Sequence, residues 1–181
     1  MTPIDQIAPP WLTQRGTQAV MAALEAARQG GSRFVGGCVR NVFRGTTHID
    51  DDIDIASQLE PTAVIAALEA AGIRALPTGI EHGTITAIFD SRPFEITTLR
   101  RDVETDGRRA VVAFTEDWAE DAARRDFRLN ALYADREGHV FEPIPESLSD
   151  ARSGRVIFIG DGDERLREDY LRILRFFRFN A

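Results

Sequence analysis

Four consecutive residues, Asp52-Ile53-Asp54-Ile55, combine reactive groups with an informative spacing. In an extended chain successive side chains alternate faces, so both carboxylates project to one side and both isoleucines to the other. Asp50 continues the acidic side, and Asp51 interrupts the apolar one. Two like charges about 7 Å apart along one strand are unfavourable for folding alone. A divalent cation relieves that repulsion, and hard carboxylate oxygens suit Mg²⁺. An acidic strand end at the surface has the same spelling, so the pair needs company to mean chemistry. Upstream, Phe34-Val35-Gly36-Gly37-Cys38-Val39-Arg40 runs a short strand through two glycines into a helix. Such a junction lets backbone N–H groups approach phosphate oxygens, and Arg40 can add a bidentate contact. A phosphate cradle followed by paired carboxylates is the equipment of metal-dependent nucleotidyl transfer.

The elements that must position these groups follow from pattern. Trp11 to Arg28 reads as a helix closed by Gly30-Gly31, and Arg33 to Val35 as a strand. Cys38 to Arg44 makes two helical turns ending at Gly45, and Asp52 to Ala56 is a strand. Pro61 to Ala71 is a helix with proline in its first turn and Gly72 beyond its end. Ile73 to Leu76, Thr84 to Phe89 and Phe94 to Leu99 are strands, the last two joined by a turn at Asp90 to Pro93. Arg100 to Arg109 is polar and reads as a mobile loop. Glu116 to Arg125 is helical, Asn130 to Ala134 pairs with His139 to Phe141, and one amphipathic helix runs from Asp163 onward. The order implies an α+β fold with a mostly antiparallel sheet. Its parts are an N-terminal helix over 1–30, a head over 31–145 and the start of a helical neck over 146–181.

Composition narrows the classes further. The 181 residues carry 22 basic and 29 acidic side chains, for a net charge of −7, and every base is arginine. Chemistries that need a lysine, such as Schiff bases or a P-loop, are therefore excluded. The charge is uneven: residues 1–45 carry +3, 46–120 carry −9, 121–164 carry −4 and 165–181 carry +3. An acidic middle between basic ends suits a cation serving an anionic substrate. One cysteine, Cys38, excludes a disulfide framework, and three scattered histidines make no zinc site. No run is long enough to span a membrane, and the N-terminus is no secretory signal, which places the chain in the cytoplasm.

Five segments in order, FVGGCVR, DIDIAS, FEITTLR, RRDFRLNALYAD and IGD…RLREDYLRILRFFRF, resemble the class II tRNA nucleotidyltransferases, meaning the CCA-adding enzymes and their bacterial poly(A) polymerase relatives. The resemblance covers nearly everything from Arg33 onward. It implies a polymerase-β-like nucleotidyltransferase head leading into a helical neck. It further implies that Asp52 and Asp54 hold Mg²⁺, that Gly36, Gly37 and Arg40 receive the triphosphate of CTP or ATP, and that Glu95 is a further carboxylate of the catalytic face. Arg124, Arg125, Asp126 and Asn130 match the motif that handles ribose and phosphates. Independently, Asp126 and Asn130 are four apart, a spacing that puts both on one helical face. Arg100, Arg101 and Asp102 open the family's flexible loop, which is linked to the switch from C to A addition. The implied partner is the tRNA 3′ end. Poly(A) polymerase, A-only or C-only addition, and nucleotide binding without turnover remain alternatives at this level.

Asp169 and Arg172 stand three apart in the last helix, so they share a face and can meet one base edge together. The resemblance implies that they form the template that selects C and A. Glu168 and Arg172 are also spaced for an ordinary surface ion pair. Three positions depart from the family pattern: Asn41 and Glu142 each stand where aspartate is usual, and Arg128 replaces a threonine. The sequence stops at Ala181 within helical pattern, which reads as an excised head or a naturally short relative. Leu171, Leu174 and Phe177, flanked by Ile173, Phe176 and Phe179, leave so much apolar helix surface that self-association or fraying is expected from about Phe176.

Overall fold

The structure is a computed structural model that describes residues 1–103 and 111–180. Among these the chain forms, in order, β1 (Asp5–Gln6), α1 (Arg15–Ala27), β2 (Ser32–Val35), α2 (Gly37–Arg44), β3 (Asp54–Ser57), α3 (Pro61–Ala70), β4 (Arg74–Gly79), β5 (Thr84–Phe89) and β6 (Arg92–Thr98). There follow β7 (Arg100–Val103), β8 (Val111–Phe114), α4 (Trp118–Ala123), β9 (Tyr133–Ala134), β10 (His139–Phe141), α5 (Ser147–Ser153), α6 (Gly162–Glu168) and α7 (Leu171–Asn180). The main sheet has eight strands in the order β1-β10-β9-β2-β3-β6-β5-β4, and β7 and β8 form a separate ribbon. Every pairing in the main sheet is antiparallel except β3 with β6. The expected α+β class with a mostly antiparallel sheet is what the chain adopts.

Alternation along the strands splits the apolar residues between two cores. Phe34 and Ile55 face one side of the sheet, where they join Trp11, Met21 and Leu24 of the N-terminal segment, Leu68 of α3, and Phe94 and Ile96 of β6. Val35 and Ala56 face the other side, with Leu99, Trp118, Tyr133 and Phe141. The N-terminal segment is therefore part of the main core, and β1 extends the sheet by pairing with β10. Between β5 and β6, Phe89 pairs with Arg92 across a two-residue turn at Asp90-Ser91. Both turn residues have positive φ (48° and 64°), the geometry that matches strand twist in a tight hairpin.

Three expectations change. Arg100, Arg101 and Asp102 lie in strand β7, paired with Phe114, Ala113 and Val112 of β8; a backbone ladder needs no apolar alternation, so the polar composition hid it. Residues 104–109 of that expected loop lie outside the described residues. The strand expected from Asp52 begins at Asp54. The single helix expected from Asp163 breaks at Asp169-Tyr170 into α6 and α7, because the Asp169 carboxylate accepts the Leu171 N–H (2.9 Å) and caps the second helix.

Candidate active site

Strand β2 ends at Val35, and Gly36 turns the chain into α2 with φ 73° and ψ −127°, a conformation costly for any side chain. A Cβ at Gly36 would lie 3.8 Å from Oδ2 of Asp54, ordinary contact distance, so it is the positive φ that calls for glycine here. The turn lies next to the Asp54 carboxylate. The first N–H groups of α2 have no partner within the helix and sit at this turn. Next door, the parallel register of β3 and β6 sets Asp54 directly against Glu95. Burial and the Glu95 charge push the Asp54 carboxyl up to about 6, with Asp52 adding to the rise and Arg125 opposing it. This donor set, acidic oxygens whose mutual repulsion Arg125 offsets only in part, fits a hard divalent cation. The Cys38 thiol beneath is buried and pushed up to about 12, which keeps it protonated and inert.

A cleft of about 710 Å³ opens over these groups. It is lined by Gly36, Gly37, Arg40, Asp54 and Glu95 from the sheet and α2, and by Arg100 from β7. Arg124, Arg125, Asp126 and Asn130 close a second side, and Asp169 and Arg172 a third. Asp52, Arg101 and Asp102 are exposed and do not line it. Asp52 belongs to the irregular segment before β3 and reaches the site through its charge on Asp54.

The basic wall is held by a residue that sequence reasoning passed over. Asp121 of α4 is 1% exposed. It accepts from Nε of Arg124 (3.0 Å), from Arg125 (2.8 Å), from the Tyr133 hydroxyl (2.8 Å) and from the Arg100 backbone N–H (3.3 Å). Burial opposes its charge, but Arg125 and Arg124 outweigh burial and hold its carboxyl below the usual range. Nothing in a charged helix marks one acid as buried, so only its packing distinguishes it. A second chain of contacts crosses the cleft: Arg40 donates to Oδ1 of Asn130 (2.6 Å), Asn130 donates to Asp126 (3.1 Å), and Arg175 of α7 donates to the same carboxylate (2.6 Å). Asp126 and Asn130 thus meet directly, through a bend and one 3₁₀ turn, instead of through a shared helical face. Arg175, Arg178 and Phe179 line the cleft as well, with the Arg40 guanidinium 4.6 Å from the Phe179 ring centre.

Asp169 and Arg172 reach the cleft from either side of the helix break. Arg172 donates to the Arg165 carbonyl (2.7 Å) and to Glu168 (2.5 Å), so the ion pair expected from spacing is formed. The three departures also find places. Asn41 accepts from Nε and a terminal nitrogen of Arg40 (3.2 and 2.8 Å), and as a neutral amide it leaves the Arg40 charge uncancelled. Arg128 turns away from the cleft to Asp150 (2.7 Å) and Glu146 (3.0 Å), and Glu142 accepts the Leu148 N–H (2.8 Å).

Comparison with known proteins identifies the family. Residues 32–157 match the family model described as the poly A polymerase head domain. The chain is 45% identical over 148 residues to the human mitochondrial CCA tRNA nucleotidyltransferase 1, covering 81% of this chain and 33% of that one. It is 41% identical over 150 residues to a CCA-adding enzyme of Streptococcus pyogenes, covering 82% and 36%. The crystal structure of the Bacillus stearothermophilus CCA-adding enzyme in complex with CTP superposes with a TM-score of 0.77 at 30% identity, covering 96% of this chain and 39% of that one. A tRNA nucleotidyltransferase complexed with a primer tRNA and an incoming ATP analog gives 0.67 at 25% identity, over 88% and 44%. The chain spans about a third of the length of the curated relatives it matches. With the family model matching residues 32–157, most of the sequence, the chain belongs to the poly(A) polymerase head-domain family of nucleotidyltransferases.

Proposed function

We propose that this chain is the catalytic head of a CCA-adding enzyme, transferring CMP and AMP from CTP and ATP to the 3′ end of tRNA. The observation that carries this reading is the placement of Asp54 and Glu95 against the Gly36-Gly37 turn, under a wall of fixed arginines. The names of its relatives, and the CTP and primer tRNA in two of the related structures, support it. Asp54 and Glu95, set against each other by the β3–β6 register, suit Mg²⁺ as oxygen donors, with exposed Asp52 adding negative charge beside them. When bound, the ion would supply charge neutralisation for the attacking hydroxyl and the leaving pyrophosphate. The α2 N-terminus and Arg40 receive the triphosphate, while Arg124 and Arg125 hold its charge from the opposite side. In the reaction the acceptor 3′-oxygen bonds to the α-phosphorus, the bond to pyrophosphate breaks, and the hydroxyl proton is released to solvent. Arg40 carries its full charge beside neutral Asn41, and pre-fixed cations of this kind stabilise transferring phosphates without reorganising.

Asp169 and Arg172 form the base template. Cytosine and adenine both present an amine donor beside a ring-nitrogen acceptor, which an aspartate and an arginine complement. Uracil and guanine reverse that order. Arg100, Arg101 and Asp102 form the base of the segment that accompanies the change from C to A. A single cysteine, the buried Cys38, suits a reducing, cytoplasmic setting.

The test is incubation with Mg²⁺, labelled CTP or ATP, and tRNA ending before CCA. Ordered addition of two CMP and one AMP is the expected result. Repeated AMP addition to any RNA end would make the chain a poly(A) polymerase head, and nucleotide binding without incorporation would make it a binding module.

A further inference from the structure

Asp54 and Glu95 are fixed by the sheet, whereas Asp52 lies just outside its ladder. The sequence of β6 explains why. In the parallel pairing of β3 with β6 the Glu95 N–H donates to the Ile53 carbonyl (3.3 Å). Continuing that ladder two residues back would set residue 93 opposite Asp52 and assign the Asp51 carbonyl to the N–H of residue 93. Residue 93 is proline, which has no N–H to give. The ladder therefore ends at Ile53, and the backbone just before Asp52 is left without its strand partner.

Arg92 supplies the missing donor. One terminal nitrogen of its guanidinium donates to the Asp51 carbonyl (2.7 Å). The other donates to the Ile49 carbonyl (3.2 Å) and to the side-chain oxygen of Gln14. Gln14 in turn donates to the same Ile49 carbonyl (3.0 Å), so the N-terminal segment braces the loop from behind. The guanidinium lies 5.7 Å from the ring centre of buried Phe94, which gives the side chain a fixed seat. The loop also closes on itself, because the Asp51 carboxylate accepts the Thr47 hydroxyl (3.1 Å) and the His48 N–H (3.0 Å). That commits Asp51 to the loop and leaves its neighbour Asp52 as the acid whose charge acts on Asp54.

An exposed carboxylate on a segment outside the ladder keeps a constant distance from Asp54 and Glu95 only if its backbone is held. Arg92 binds the carbonyl of the peptide that joins Asp51 to Asp52, and it does so from the strand that carries Glu95 three residues on. We infer that Arg92 is a positioning residue of the acidic site: it replaces the ladder bond that Pro93 cannot make and so holds Asp52 in place beside Asp54 and Glu95. This rests on the transferase reading above and adds to it a residue that acts through the backbone of another. Its charge alone would have the opposite effect, since a cation near the carboxylates repels a divalent ion.

The experiment is a Mn²⁺ titration of the 181-residue chain followed by electron paramagnetic resonance, without nucleotide or RNA. Arg92→Met keeps the apolar stem over Phe94 and removes the donors. It should weaken Mn²⁺ binding by roughly tenfold or more. Arg92→Lys keeps the charge but cannot span both carbonyls, so its affinity should fall between methionine and wild type. In an Asp52→Asn background Arg92→Met should cost little further, because the two residues act as one unit. Circular dichroism checks that each variant is folded at the titration temperature. Arg92 variants that keep or gain affinity overturn the inference, as do additive losses in the double variant or a wild type that binds no Mn²⁺. Coupling between Arg92 and Asp52 in a chain that incorporates no CMP would keep the positioning role and remove the transferase reading. CMP incorporation with additive losses would do the reverse.

Discussion

Replacing Asp54 by Asn separates what this carboxylate does for catalysis from what it costs the fold. In the metal-free chain its carboxyl is raised from 3.8 to about 6, first by burial and then by Glu95. That makes the charged form about 3 kcal/mol less favourable in the folded chain, which partial exposure reduces to about 2 kcal/mol. The folded pKa lies above the unfolded one, so the benefit of protonation is complete below about pH 4 and is lost as pH rises through about 6. Among the described residues the Asp54 side chain makes no hydrogen bond that an amide would forfeit. Asp54→Asn should therefore abolish transfer yet raise the melting temperature of metal-free protein at pH 8 by about 4–8 °C, with the difference shrinking towards zero near pH 4. Saturating Mg²⁺ should close the gap at pH 8 by stabilising wild type alone. The assay is differential scanning fluorimetry at both pH values, with EDTA and with Mg²⁺. Equal melting temperatures at pH 8 in EDTA, or a gap that persists at pH 4, would refute the reasoning.

Asp121→Ala should destabilise the chain by about 3–5 kcal/mol, because it leaves half-buried Arg124 and Arg125 without their shared, fully buried partner; urea denaturation measures this, and a loss under about 1 kcal/mol would count against the clamp. Asp169→Ala should erase the preference for CTP and ATP over UTP and GTP in competition binding while keeping triphosphate affinity; full discrimination in the variant would remove Asp169 from the template. The 181-residue chain should self-associate through Tyr170, Leu171, Leu174 and Phe177, which are 65–72% exposed on one side of α7. Sedimentation velocity should show concentration-dependent mass for wild type and a monomer for Leu174→Glu, and a wild-type monomer at every concentration would contradict it.

The parts of the site that could be read from sequence are those whose chemistry is local. Gly36-Gly37 declares a turn by itself, and Asp54 declares its face through alternation with Ile53 and Ile55, whereas Glu95 came from the family resemblance. Groups defined by distant partners left no such mark. Asp121 looks like any acid in WAEDAA until Tyr133 and Arg100 fold onto it. The apolar spacing of α6 and α7 runs unbroken through Asp169, so a cap formed by one hydrogen bond stayed invisible. β1 is two residues paired only by backbone, and backbone pairing leaves no signature in side-chain pattern. The helix-face reasoning for Asp126 with Asn130 reached side chains that do meet, by the wrong geometry, whereas Asp169 and Arg172 line the cleft from either side of a helix break and Arg172 pairs with Glu168.

The parallel pairing of β3 with β6 has a kinetic consequence. β4, β5 and β6 form a meander of neighbouring hairpins whose closure costs little chain entropy, whereas joining β3 to β6 must close the whole intervening crossover. Contacts between sequence-distant strands reward the chain late. The Asp54–Glu95 contact is therefore expected to be weakly formed in the folding transition state, which refolding rates of Asp54→Asn would test. Their repulsion then acts on the unfolding rate and leaves the folding rate nearly untouched. A cation bound between them would act as a latch, lengthening the lifetime of the folded head without hastening its formation.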